Sequence, residues 1–82
     1  MQFDEFVRQL DGAVGAKATA AGDRAVWTDA SRTATVTAVA PRNVSVALED
    51  GGREVPPTTW YPVDAALVPV VSKRIAEFFG KR

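Results

Sequence analysis

Residues 34–57 read ATVTAVAPRNVSVALEDGGREVPP, and the punctuation of this stretch decides the fold. Runs of small and β-branched residues break at Pro41-Arg42-Asn43 and again at Gly51-Gly52, two kinds of sequence at which a strand reverses. At the first break proline presets φ and asparagine tolerates the left-handed well. Pairing across it sets Ala40, Ala38 and Val36 opposite Val44, Val46 and Leu48, all on one face. At the second, glycine supplies both positive-φ positions of a two-residue hairpin, and that register puts Val55 opposite Leu48 on the same face. Two independent turns therefore point to one buried face.

Outward from this hairpin pair, the runs Arg24 to Thr28, Arg32 to Ala40, Val44 to Glu49 and Arg53 to Pro56 recur at intervals of about ten residues, the spacing of an antiparallel meander. Thr33, Thr35 and Thr37 fall on the face opposite Val36 and read as solvated strand residues; one such row is too little surface for ice binding. Upstream, Phe3, Phe6, Val7, Leu10 and Val14 lay an apolar stripe down a helix, with Asp4 and Glu5 at its positive end and Gly12 and Gly15 available to stop it. Downstream, Pro56-Pro57-Thr58-Thr59-Trp60-Tyr61-Pro62 carries three prolines, which predicts a surface crossing or single helical turn rather than an interior strand. Leu67, Val68, Val71, Ile75, Phe78 and Phe79 then recur at helical spacing behind Asp64 as a candidate N-cap. Pro69 either kinks that helix or opens it, and Gly80 ends it.

The expected architecture is α+β in a single domain, residues 1–82. A bent antiparallel meander of four or five strands over about residues 24–56 is flanked by helices over about residues 3–14 and 65–79. Both helical stripes need burial against the sheet's apolar face, an open barrel end or a subunit interface.

Residues 34–57 also resemble the central three strands of small SH3-like barrels of the Tudor or KOW sort. Those carry a V-x-x-V strand, a tight turn, a V-x-V strand, an acidic-Gly turn and a closing valine, places held here by Val36, Val39, Val44, Val46, Asp50, Gly51 and Val55. The resemblance implies a strongly bent sheet closed as a small barrel, and binding rather than catalysis. The aromatic cage of many Tudor-like domains is not identifiable here, and the basic loop typical of nucleic-acid-binding KOW modules is missing.

Composition narrows the function classes. The 82 residues contain no Cys and no His, with 10 basic against 10 acidic side chains. Nitrogen and sulfur metal ligation is thereby excluded, and Ser31, Ser45 and Ser72 have no histidine base. Ser72 and Lys73 are adjacent on a helix and point about 100° apart, so they do not form a catalytic pair. The turn Glu49-Asp50-Gly51-Gly52 lacks the spaced ligands of a calcium loop, and Gly12 to Gly15 before Lys17 lacks the spacing of a phosphate loop. The chain reads as no enzyme, with no cofactor.

Asp4 and Glu5 interrupt any signal-like N-terminus, and uncharged stretches stop at about nine residues, which reads against export by a cleaved signal and against membrane spanning. A cytoplasmic location is the expectation, in line with the absence of cysteine. Seven Arg to three Lys, with abundant Ala and Val, suggests a GC-rich coding source such as a high-GC bacterium or its phage, with a phage or accessory structural protein as an alternative role that composition does not decide.

What remains is binding or assembly. Of 38 apolar residues 14 are Ala and 12 are Val, a thin core for a chain that buries roughly 60–65% of its unfolded surface. Trp27 is expected inside that core. Trp60 and Tyr61, in their proline-rich setting, and Phe78 and Phe79, on the last helix, are the candidate partner-binding residues for a protein partner or a second copy of the chain. Lys73, Arg74, Lys81 and Arg82 make the basic face that a nucleic acid would use. Against that alternative, Arg24 and Arg42 lie at one end of the meander and Arg32 and Arg53 at the other, and the net charge is zero.

Overall fold

In the computed structural model, which describes residues 1–80, every second residue of the central strands turns toward a pair of helices. The elements are α1 (Phe3–Val14), β1 (Thr19–Ala21), β2 (Arg24–Asp29), β3 (Arg32–Val39), β4 (Asn43–Asp50), β5 (Arg53–Pro62), a 3-10 turn (Ala65–Leu67) and α2 (Val68–Phe78). The strands form one antiparallel sheet in sequence order, and both helical stripes pack on the same side of it. Ala25 and Trp27 of β2, Ala34 and Val36 of β3, and Val44, Val46 and Leu48 of β4 are buried against Phe6, Val7, Leu10 and Val14 of α1 and Val68, Val71 and Ile75 of α2. The α+β class and the flanking helices thus stand.

Local chemistry explains the ends. The first turn of α1 holds Asp4 and Glu5, and Gly15 at φ 80 closes the helix by donating its N–H to the Asp11 carbonyl at 2.9 Å. Asp64 accepts the Ala66 N–H at 2.9 Å and starts the 3-10 turn, which runs directly into α2. Pro69 stands in the first turn of α2, where its missing donor would have had no intrahelical acceptor, so the helix opens there without a kink. Trp27, 1% exposed, donates its indole N–H to Asp11 Oδ1 and to the Ala16 carbonyl, both at 3.1 Å. The same Asp11 oxygen accepts the Ala18 N–H at 2.8 Å, which steers the chain from α1 into β1.

Three expectations are corrected, and the upper of the two expected strand counts, five, is the one found. The β3–β4 register pairs Ala38 with Val44, Val36 with Val46 and Ala34 with Leu48, two residues from the expected alignment, because the turn occupies Ala40 to Arg42 between the pair Val39 and Asn43. A slide of two residues keeps the same face inward, so Val36, Val44, Val46 and Leu48 are buried as expected, whereas Ala40 falls in the turn and is exposed, Ala38 is half-buried and Ala34 joins the core. The Pro56 to Pro62 segment continues β5 instead of leaving the sheet. As the last strand in the order β5 is an edge, where prolines cost no ladder bond on the open side, and Pro56 and Pro57 fall in the register shift facing Val46 to Leu48. A short strand, β1, precedes the expected meander; its Thr19-Ala20-Ala21 sequence is too short and small to signal a strand by itself. Finally, β1 and β5 do not pair, so no barrel closes; the helices cover the apolar face in place of the sheet's own curvature. The Val55–Leu48 pairing and the Gly51-Gly52 hairpin, with φ 61 and 83, agree with expectation.

Two stability measurements check this account. Asp11→Ala removes one of the indole N–H's two acceptors and the side-chain acceptor of the Ala18 N–H, and should lower unfolding free energy by about 1–3 kcal/mol in urea titration, with Asp11→Asn, which keeps the Oδ1 acceptor, losing clearly less. Ala30, at φ 55 in the two-residue β2–β3 turn, holds a Cβ in the left-handed region. Relief of that strain outweighs the backbone entropy of glycine, so Ala30→Gly should stabilise the chain by about 0.5 kcal/mol in the same titration.

Candidate binding groove

Helix α2 carries Val71, Ile75 and Phe79 at four-residue intervals into the core, which leaves the neighbouring row of Val70, Lys73, Arg74, Glu77 and Phe78 along its flank. Beside that flank run β4 and β5. Between them lies an open groove of about 700 Å³ with Leu48, Val55, Pro56 and Tyr61 on the strand side. Val70, 47% exposed, stands at its margin with Lys73. The groove is held in shape from both sides. Arg74 Nη2 donates to the Pro57 carbonyl at 2.7 Å, tying α2 to the bulged part of β5. Arg32 Nη1 donates to the Phe78 carbonyl at 2.6 Å, satisfying an orphan carbonyl at the helix end, and its guanidinium lies 5.6 Å from the Phe78 ring centroid.

Arg32 is itself fixed by Asp50, at 3.5 Å, and Ser31 donates to the other oxygen of that carboxylate at 2.9 Å. Both ends of the ion pair are about half exposed, so its worth is small and its role is to orient the cap. The end of the sheet it occupies reads Asp29, Arg32, Asp50, Arg53 across four strands, alternating in sign as the meander predicts. Among the described residues no group of three or more acidic side chains is placed to hold a metal ion, and no helix is long and apolar enough to cross a membrane.

The residues singled out from sequence divide. Tyr61, Phe78, Lys73 and Arg74 come together in the groove. Phe79 does not join them: it is 8% exposed and belongs to the core, because the four-residue spacing from Val71 and Ile75 turns it inward. Phe78, by contrast, is half-buried at the groove with the Arg32 guanidinium over its ring. Trp60 and Tyr61 part company because consecutive strand residues face opposite ways; Tyr61 packs against the core and Trp60, 64% exposed, stands on the far face. Trp27 is buried as expected. Lys81 and Arg82 lie outside the described residues. Missed from sequence were Val70, Leu48, Val55 and Pro56 as groove lining, and Asp11 as the indole's partner. Val70 had a readable signal, an apolar residue beside the stripe of α2; the others needed the position of α2 relative to β5. No protein-family model, no curated protein and no solved structure matches the chain.

The two aromatics should behave differently when truncated. Phe79→Ala opens a core cavity and should cost about 3–5 kcal/mol in urea unfolding, enough to unfold much of so small a domain, whereas Phe78→Ala should cost under about 2 kcal/mol and leave the chain folded.

Proposed function

We propose that the protein is a non-catalytic binding module whose groove between α2 and β5 takes a segment of a partner protein, apolar in its buried side chains and carrying a carboxylate toward Lys73. The observation that carries this reading is the meeting of Val70, Tyr61 and Phe78 with the exposed ammonium of Lys73 along one groove. Aromatic and aliphatic surface supplies the affinity of such contacts, and the charged rim, where Lys73 and Glu77 both stand, supplies orientation. Arg74 is committed to the Pro57 carbonyl and shapes the wall. The weak field of a chain with zero net charge favours protein over nucleic acid, since phosphate binding draws on several free cations acting together.

Peptide-display selection on the immobilised full chain tests the reading. Selected peptides should combine apolar residues with an acidic one, and Val70→Asp and Lys73→Glu should each weaken them about 10-fold or more with circular dichroism unchanged. Equal binding by both variants, or tight and steeply salt-dependent binding of mixed oligonucleotides in fluorescence anisotropy, overturns it.

A further inference from the structure

The face of the sheet turned away from the helices holds a second surface, independent of the groove. Strand register sets Arg24, Thr37, Ser45 and Trp60 in one row across β2 to β5, and Thr28, Thr33, Glu49 and Glu54 in a parallel row farther along the strands. Four residues of strand span about 13 Å and three strand spacings about 14 Å, so the two rows bound a nearly square patch. Its corners are Arg24, Trp60, Glu54 and Thr28, all exposed. Its floor is low and made of small side chains: Val26, Thr35, Thr37, Ser45 and Ala47 are each half-buried with no helix above them.

Charge is distributed on this square in a telling way. Glu49 and Glu54 sit directly opposite each other on neighbouring strands, an arrangement that costs energy when nothing positive is near. Arg24 makes no ion pair among the described residues and occupies the corner diagonally opposite Glu54, roughly 20 Å away by the same spacings, too far to meet it within one chain. The square is complementary to itself. A two-fold axis lying in the face along the other diagonal, from Trp60 to Thr28, exchanges the Arg24 and Glu54 corners of two copies.

We propose that the chain forms a two-fold homodimer by packing these open sheet faces on each other, with Arg24 of each copy against Glu54 and Glu49 of the other and the two Trp60 rings meeting on the axis. The strands of the two sheets then cross near a right angle, one of the two standard ways sheets pack. The small floor of Thr35, Ala47 and Val26 lets the sheets approach, and the two exposed indoles, meeting where the axis leaves the patch, add an aromatic contact at that corner. The patch is well below the ~800 Å² per partner of a standard interface, so the dimer is weak, forming at about 10 µM to 1 mM and loosening with salt. This contact leaves the groove between α2 and β5 free, so the dimer presents two grooves.

Sedimentation equilibrium on the full chain from about 10 µM to 1 mM at low salt is the test, with circular dichroism confirming that each variant is folded. The expected result is a mass rising from 8.8 kDa toward twice that value. Trp60→Ala should abolish the rise. Arg24→Glu and Glu54→Arg should each weaken association about 10-fold or more, and the double variant, which restores opposite charges across the axis, should recover most of it. Val70→Asp, on the groove, should leave it unchanged. A chain that stays monomeric at 1 mM overturns the proposal. A dimer insensitive to Trp60→Ala, one that the double charge swap fails to restore, or one disrupted by Val70→Asp overturns it equally, the last placing self-association in the groove.

Discussion

The structure turns on the indole of Trp27. A core built largely from alanine and valine has little volume to offer, and one fully buried tryptophan on β2 fills the space between the sheet and α1. Burial of its ring is favourable only while its N–H has an acceptor, because an unpaired buried donor costs about 1–3 kcal/mol. Asp11, in the last turn of α1, provides that acceptor, and the Ala16 carbonyl just beyond the helix provides another. One ring thereby sets where α1 stops and how the chain enters β1, since the carboxylate that receives the indole also receives the Ala18 N–H.

A second constraint follows from leaving the sheet open. An unclosed meander has two edges, and each is blunted by a different device: β1 is only Thr19–Ala21, while β5 carries Pro56, Pro57 and Pro62 and an irregular register. Short edges and edge prolines discourage indiscriminate strand pairing. Besides these blunted edges, the molecule has two open faces of different chemistry. The groove beside α2 is apolar with a margin of mixed charge, Lys73 and Arg74 with Glu77. The bare sheet face is low, rich in threonine and marked by separated charges and one exposed tryptophan.

These surfaces share no residue, because strand alternation sends Tyr61 into the groove and Trp60 to the opposite side. The proposed roles are compatible on that account: one face can gather copies while the other engages a partner, and multivalent presentation raises avidity without new contacts. Arg32 ties the sheet to the groove, since it donates to the Phe78 carbonyl at the end of α2 and lies over the Phe78 ring.

Much of the fold is legible in the linear chain because local rules suffice for it. Helical spacing marks α1 and its buried stripe, Gly51-Gly52 marks a hairpin, and alternation marks the buried face of β3 and β4 even where the register slides by two, since such a slide does not exchange faces. The sequence by itself thus determined the class, the order of the helices and central strands, and which valines are inside. The rest follows from how the helices and strands pack on one another. The prolines of β5 are tolerable because that strand is an edge, a property of the whole sheet that no local pattern carries. Phe79 is core and Phe78 is groove because α2 docks at one rotation about its axis, and Asp11 matters because a tryptophan sixteen residues away needs an acceptor at that point. Each of these depends on what lies across from a residue in space, and spacing along a chain specifies only what lies beside it.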